Sequence, residues 1–448
     1  MLSRFQAGRQ FYNAILNEAM VRMNLVKNSK LYEDAKKQSK GKRRSERFKA
    51  ARQAYRYSEY DLHAYGTVVA NKSKWIGQKI DSNTQQKLAT RAFQASEKVL
   101  VGRAKKIRYK VPTRFHSMEG KSNKTGIRWK DNQLIWGKLT LTPIIDWDNP
   151  VICHALNSPI KYVRILGKEI HEKRRWFCQL ICEGNPYQKP QNYAADGIVG
   201  LDLNISSVAY VANNEAGLLS FADKVPSYRR QIARLQRKMD RSRRATNFGN
   251  YKPDFIGRRG RKTVVKKGQP KKGRCKWNKS NNYKQVSAAK RELERRKSEY
   301  AKSQNRRLVN TILRSGKHIK TERVSVKGWQ KVWGKAINAK SPGYFQSELK
   351  RKAESAGGSF YQFSTQSTAL SQTHLTGERI KKSLSERVHY DKSGVVMHRD
   401  LMSAFLSRYV YDDTLSLQDA QSEYPSLEPS LLRAWQQHQQ LAFSCKCV

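Results

Sequence analysis

Lysine and arginine outnumber aspartate and glutamate by 89 to 36 in this chain, a formal net charge of +53 over 448 residues. Surplus like charge on that scale repels itself and works against a compact state unless a polyanion neutralises it. The sequence pI of about 10.3 lies above the range where nucleic-acid binding becomes the first expectation. A small acidic substrate would not require so many cations. A membrane surface would, but it calls for an amphipathic or apolar anchor. No run of 18 apolar residues is present, so no spanning helix is expected. Residues 1–20 lack the apolar core of a secretory signal. Hydrophobic residues at 38% and aromatics at 10% suffice for folded cores.

The charge is uneven. Residues 251–350 hold 30 Lys and Arg against 6 Asp and Glu, whereas residues 401–448 hold 3 against 5. Carboxylates are scarce through most of the chain, so one inside an apolar strand asks for an explanation. The six cysteines, Cys153, Cys178, Cys182, Cys275, Cys445 and Cys447, form no C-x-x-C pair. They read as reduced thiols, with Cys178 and Cys182 in an apolar core run.

Residues 1–103 read as helical. Phe5, Tyr12, Leu16, Ala19 and Met23 share one helix face, as do Leu88, Ala92, Ala95 and Val99 after the N-capping start Asp81-Ser82-Asn83. The basic stretch Lys36–Arg52 reads as an exposed helix or loop. From 104 to about 188 the pattern turns to short strands, with hairpins at 126–136 and 161–182 that suggest a small barrel or sandwich. Apolar strands recur at 197–203 and 208–211. Basic helices fill 226–313, interrupted by a Lys/Arg/Gly loop at Gly257–Asn278. A strand at His318–Val324, a helix at Ser341–Gly357, a strand at Phe360–Phe363 and a helix at His398–Tyr409 follow. Residues 412–448 read as a polar, acidic tail.

Three acids stand out by position. Asp202 ends an apolar strand, Glu322 sits in an alternating strand and Asp400 opens an apolar helix. Each also has a plain reading: a turn residue, an exposed strand acid, and an acid matched to a helix dipole. Converging on one scaffold, three such carboxylates can hold two divalent ions for phosphodiester cleavage. Mg²⁺ suits a site of a few carboxylates, waters and substrate phosphates.

Their contexts carry a family likeness. Gly200-Leu201-Asp202-Leu203-Asn204, then Thr321 to Lys331 (T-E-R-V-S-V-K-G-W-Q-K), then His398 to Phe405 (H-R-D-L-M-S-A-F) resemble the three RuvC motifs of TnpB-like RNA-guided nucleases and compact type V CRISPR effectors. The stretches at 342–358, 368–372 and 384–387 resemble the same family's C-terminal half, and Arg9-x-x-Tyr12-Asn13 resembles its first recognition helix. The resemblance implies an α+β multidomain fold: a wedge β-barrel with a helical recognition insertion, then an RNase H-like (RuvC) α/β domain with a degenerate zinc-ribbon insertion. The implied divisions are a recognition region at 1–103, wedge strands at 104–190, and a nuclease domain at 191–364 that includes the basic insert 226–313. A ribbon-like insert at 365–396, a third motif at 397–411 and the tail complete the chain.

By that resemblance Asp202, Glu322 and Asp400 are the catalytic, Mg²⁺-holding acids, with two ions per site. The partners are a guide RNA and double-stranded target DNA, without a membrane, in a cytoplasmic setting on the nucleoid. The family's zinc ribbon uses two C-x-x-C-G knuckles. Here Thr373, Thr376, Tyr390 and Ser393 occupy the four cysteine places, and hydroxyl side chains are poor zinc ligands, so zinc is not expected there. His374 and Asp391 lie beside them. The family's first wedge strand has no counterpart before the helix that begins near Met1. Arg241, Arg243, Arg244, Lys271, Lys272 and Arg274 are candidate phosphate contacts, together with Arg9, Tyr12 and Asn13. Trp129, Trp136, Trp176 and Trp329 read first as core and second as base-stacking residues. Two alternatives stay open: an RNA-guided DNA-binding protein with little cleavage, and a nonspecific RNA-binding protein.

Overall fold

A computed structural model describes residues 1–444 except Glu172, Arg274 and Leu384, and leaves out the side chains of Arg259 and of 441–444. Cys445 and Cys447 therefore lie outside the described residues. Two compact units result, 1–187 and 188–448. Among the described residues no helix is long and apolar enough to cross a membrane.

The first unit opens with six helices: α1 (Leu2–Asn28), α2 (Lys30–Lys37), α3 (Lys42–Ala54), α4 (Glu59–Lys72), α5 (Lys74–Lys79) and α6 (Ser82–Leu100). The face expected on α1 is the buried one, since Phe5, Tyr12, Leu16, Ala19 and Met23 all lie in the core. Asp81 caps α6 by accepting from the Thr84 amide at 3.0 Å, and its other oxygen accepts from Trp136 Nε1 at 2.8 Å. One carboxylate thus starts a helix and satisfies a buried indole.

Strands β1 (Ser117–Glu119), β2 (Ile127–Lys130), β3 (Gln133–Trp136), β4 (Leu139–Leu141), β5 (Ile160–Ile170) and β6 (Lys173–Cys182) follow, with the short helix α7 (Pro150–Leu156) between β4 and β5. They hydrogen-bond as two three-stranded sheets, β1-β5-β6 and β2-β3-β4. Among the described residues the ladders therefore do not close one barrel. Ile127, Leu134 and Trp136 of one sheet and Met118, Val163 and Ile165 of the other meet in a shared core, so side chains do the joining.

The second unit is built on a five-stranded sheet. Its strands are β7 (Ile198–Leu203), β8 (Ser207–Val211), β9 (Ala216–Ser220), β12 (His318–Glu322) and β13 (Ser359–Phe363), in the order β13-β12-β7-β8-β9. The β13-β12-β7 pairs are parallel, and β7-β8-β9 is an antiparallel meander. Between β9 and β12 the chain runs through α8 (Arg229–Thr246), the hairpin β10 (Phe255–Arg259) and β11 (Lys262–Lys266), and the 35-residue α9 (Asn281–Ser315). The expected loop at 257–278 is thus corrected in part to a hairpin. Gly260, at φ +62°, makes its turn in the left-handed region that suits glycine.

Helices α10 (Val326–Lys340) and α11 (Pro342–Ser355) lie between β12 and β13, and α12 (Thr365–Thr368) follows β13. The hairpin β14 (Val388–Tyr390) and β15 (Val396–His398) runs directly into α13 (Arg399–Ser407). A two-stranded ribbon, β16 (Val410–Tyr411) and β17 (Thr414–Leu415), leads to α14 (Leu417–Ser444). The expectation of a merely polar tail is corrected here. Ala420, Tyr424, Leu427, Leu431 and Ala434, at 4-3-4-3 spacing, bury one stripe of α14 in the core around α13. The ring of Tyr424 meets Phe405 edge-on at 5.4 Å.

Candidate active site

The convergence of the three acids follows from strand and helix periods. Along β7, Val199, Leu201 and Leu203 join one core cluster, so Gly200 and Asp202 point to the other face. Helix α13 packs on that face. A side chain at Gly200 would run into the Ala404 carbonyl and Arg408, so glycine is what lets the helix seat this closely. Two residues further along β7 is Asp202, roughly 6.6 Å on. One turn back along α13 from Ala404 is Asp400, roughly 6 Å in rise. Both steps lead away from the Gly200–Ala404 contact to the carboxylates.

Glu322 arrives by register. In the parallel pair β7-β12, Thr321 stands opposite Leu201, and Glu322 comes one residue later, beside Asp202. Ile319 joins the same cluster as Val199, so Lys320 and Glu322 share the α13 face. The Nζ of Lys320 confirms the direction by donating to the Arg408 carbonyl at 2.8 Å.

Asp400 lies in the first turn of α13 and is 4% exposed. Its backbone N–H donates to His398 Nδ1 at 3.2 Å, which caps the helix. The Asn204 amide, just past β7, donates to Asp400 Oδ2 at 2.9 Å and ties the strand end to the helix start. Two guanidinium groups stand further off, Arg387 Nη1 at 3.6 Å and Arg399 Nε at 3.7 Å.

Burial, then the charges of Asp400 and Glu322, push the Asp202 carboxyl well above the ordinary range, against the pull of Arg399 and Arg387. Burial pushes Glu322 up to about 7, opposed by a hydrogen bond from the Leu370 backbone. Carboxylates held this close form an all-oxygen donor set that fits a hard divalent cation. A cleft of about 340 Å³ opens beside Asp400, lined in part by Asn204, Ser206, Arg387, His398 and His438. Burial lowers the His398 titration point against the pull of the Asp400 charge, and the neighbouring His438 and arginines act with burial.

His438 comes from α14 and was not among the residues expected from the sequence. Its signal was available: it lies four residues beyond Ala434 of the buried stripe.

The other expected residues divide by location. Tyr12 is 3% exposed in the helical core. Asn13 bonds both backbone groups of Lys110, at 2.9 and 2.8 Å, and Arg9 reaches the same carbonyl at 3.5 Å. In the structure Arg9 and Asn13 tie the segment around Lys110 to α1, and Tyr12 packs in the core.

Arg241, Lys271 and Lys272 are exposed. Arg243 stacks over Trp277 at 5.4 Å, and Arg244 covers Tyr251 at 4.3 Å while donating to the Gly268 carbonyl. Arg274 lies outside the described residues. A cleft of about 780 Å³ between α8, α9 and α10 includes Arg229, Lys290, Lys297 and Lys335. Trp136 is buried at 1% exposure, whereas Trp129, Trp176 and Trp329 are partly buried.

The four ribbon positions do not meet as a ligand set. Thr376 and Tyr390 are exposed, and the buried Thr373 hydroxyl donates to the Thr368 and Ala369 carbonyls. The Ser393 hydroxyl donates to Asp391 at 2.8 Å. The centre between the two turns is instead occupied by His374, His389 and Asp391, all buried.

No protein-family model matches this chain, and no curated protein does. Solved structures do. A Cas12f1 in complex with sgRNA and target DNA matches over 90% of this chain and 81% of its own, at 11% identity and a TM-score of 0.45. A CRISPR-Cas12f ternary complex matches over 92% and 82%, at 11% identity and a TM-score of 0.30. With likeness this distant, the function is read from the carboxylates themselves.

Proposed function

We propose that the chain is an RNA-guided DNA endonuclease whose second unit is an RNase H-like, RuvC-type nuclease domain. The observation that carries this is the meeting of Asp202, Glu322 and Asp400, from two strands and a helix spread over 198 positions of sequence, in one group. In this reading the three carboxylates hold Mg²⁺. The bound ions would supply an activated water and charge stabilisation at the leaving oxygen of a phosphodiester. Asn204 holds Asp400 in orientation, and the Gly200–Ala404 contact sets its distance from Asp202.

A guide RNA and a matched DNA strand are the polyanion that the charge requires. The basic faces of α8 and α9 contact phosphates in a salt-dependent way, and base pairing reads the sequence. The wedge-like strands at 104–190 and the recognition helices at 1–103 belong to the same proposal, as does a cytoplasmic, DNA-associated setting.

A second reading, guided binding without cutting, draws support from Arg387 and Arg399, whose cations stand 3.6 and 3.7 Å from Asp400. Sequencing of RNA that co-purifies with the chain tests the guided part. One RNA species with a constant scaffold and a variable end supports it. A random mixture of cellular RNA contradicts it and favours nonspecific RNA binding.

A further inference from the structure

The cluster at His374, His389 and Asp391 lies apart from the acid triad, toward the turn end of the β14–β15 hairpin that delivers α13 and Asp400. Each residue offers one ligand atom, and those atoms lie within 4.8 Å of one another. His389 Nε2 is 2.8 Å from Asp391 Oδ2, and His374 Nδ1 is 3.6 Å from that same oxygen. Two ligand atoms about a tetrahedral zinc, bonded at about 2.0–2.2 Å, stand roughly 3.3 Å apart, so small movements would admit an ion. The two imidazole rings sit 4.7 Å apart.

One atom is left unsatisfied. His374 Nδ1 accepts the Lys392 N–H at 3.0 Å, which puts the ring proton on Nε2. That Nε2 is buried without a hydrogen-bond partner, in a residue 2% exposed. A buried donor in that state carries the full cost of its lost hydration. Asp391, by contrast, is firmly set. Burial opposes its charge, but the His389 ring, the Ser393 amide and hydroxyl and the Leu375 amide outweigh that and hold its carboxyl below the ordinary range.

We propose that His374, His389 and Asp391 form a structural site for one borderline divalent transition ion of the Zn²⁺ class. Two imidazoles and one carboxylate select such ions over Mg²⁺. The site uses none of Thr373, Thr376, Tyr390 and Ser393 as ligands. Ion entry changes the tautomer of one ring. On His389 the proton moves from Nε2 to Nδ1, and Lys382, which now faces Nδ1, turns to solvent. On His374 the proton stays on Nε2; the Lys392 amide contact opens and Nδ1, the nitrogen that faces Asp391, is freed to ligate. No net proton is released. The ion would pin the turn at 373–377 to the turn at 391–394, and so steady the hairpin that leads into the helix of Asp400.

The test uses the full chain, stripped with a chelator and titrated with Co²⁺ while ligand-field absorption is followed, with His374→Gln and Asp391→Asn in parallel. All three proteins keep the acid triad, so the difference between them reads the histidine site alone. One equivalent of Co²⁺ per chain, displaced by Zn²⁺ and lost in both variants, is expected. In the wild type Zn²⁺ should also raise the thermal midpoint by more than Mg²⁺ at the same concentration does. That comparison decides the matter even if a variant fails to fold. Equal Co²⁺ titrations, or a wild-type midpoint no more responsive to Zn²⁺ than to Mg²⁺, overturn the proposal and leave a metal-free, hydrogen-bonded cluster.

Discussion

Glu322→Gln separates what the acid group costs the fold from what it does for catalysis. With its titration point raised from the ordinary 4.5 to about 7, the folded chain holds a proton on Glu322 that the unfolded chain has released between those values. Without metal, stability therefore falls as pH climbs from about 4.5 through 7 and is flat above. The whole effect is about 3 kcal/mol at pH 8, an upper figure because Glu322 keeps some contact with solvent. Glutamine has nearly the same shape and does not ionise. For a unit of this size each kcal/mol moves the midpoint roughly 2–4 °C, so the variant should melt up to about 10 °C above wild type at pH 8 in chelator. At pH 4.5 the gap should close. Added Mg²⁺ should stabilise the wild type more than the variant, because it binds the ionised site. Differential scanning fluorimetry at the two pH values, with and without Mg²⁺, reads all of this. A variant that melts at or below wild type at pH 8, or with the same gap at both pH values, refutes a Glu322 carboxyl held protonated by burial.

Gly200→Val should unseat α13, because its side chain meets the Ala404 carbonyl; loss of Mg²⁺-induced stabilisation in the same melts is the readout. Leu431→Ala should destabilise the second unit by about 2–5 kcal/mol, seen in denaturant melts, because α14 is a packed part of the core rather than a tail. Arg241→Gln should lower the steepness of log affinity against log salt by about one for duplex or hybrid binding, without changing sequence preference.

The acid site was legible in the sequence because each carboxylate sat where carboxylates are costly, and the periods of β7 and α13 carry Asp202 and Asp400 to one place. Helix α1 was legible for the same reason, since its apolar stripe is its buried face. Helix α14 was not, although its stripe repeats at helical spacing. The acidic balance of 401–448, with Pro425 and Pro429 inside the helix, hid it, and His438 was missed with it. The hairpin β10–β11 was masked by its lysines and arginines, because an exposed ribbon needs no apolar alternation. The contact of Asn13 with the backbone of Lys110 could not be read from the sequence, because 97 positions separate the two residues. His389 could not be grouped with His374 and Asp391 from spacing alone; the bonds from the Leu375 amide to Asp391 and from the Lys392 amide to His374 bring the two turns together.

The most direct measurement is cleavage of DNA matched to the co-purifying RNA, in Mg²⁺, by the wild type and by Asp202→Ala loaded with the same RNA. The account predicts that both bind the matched DNA and that only the wild type cuts it, with chelator abolishing the cut. Matched DNA bound and left intact by the wild type, or cut equally well by Asp202→Ala, would contradict it.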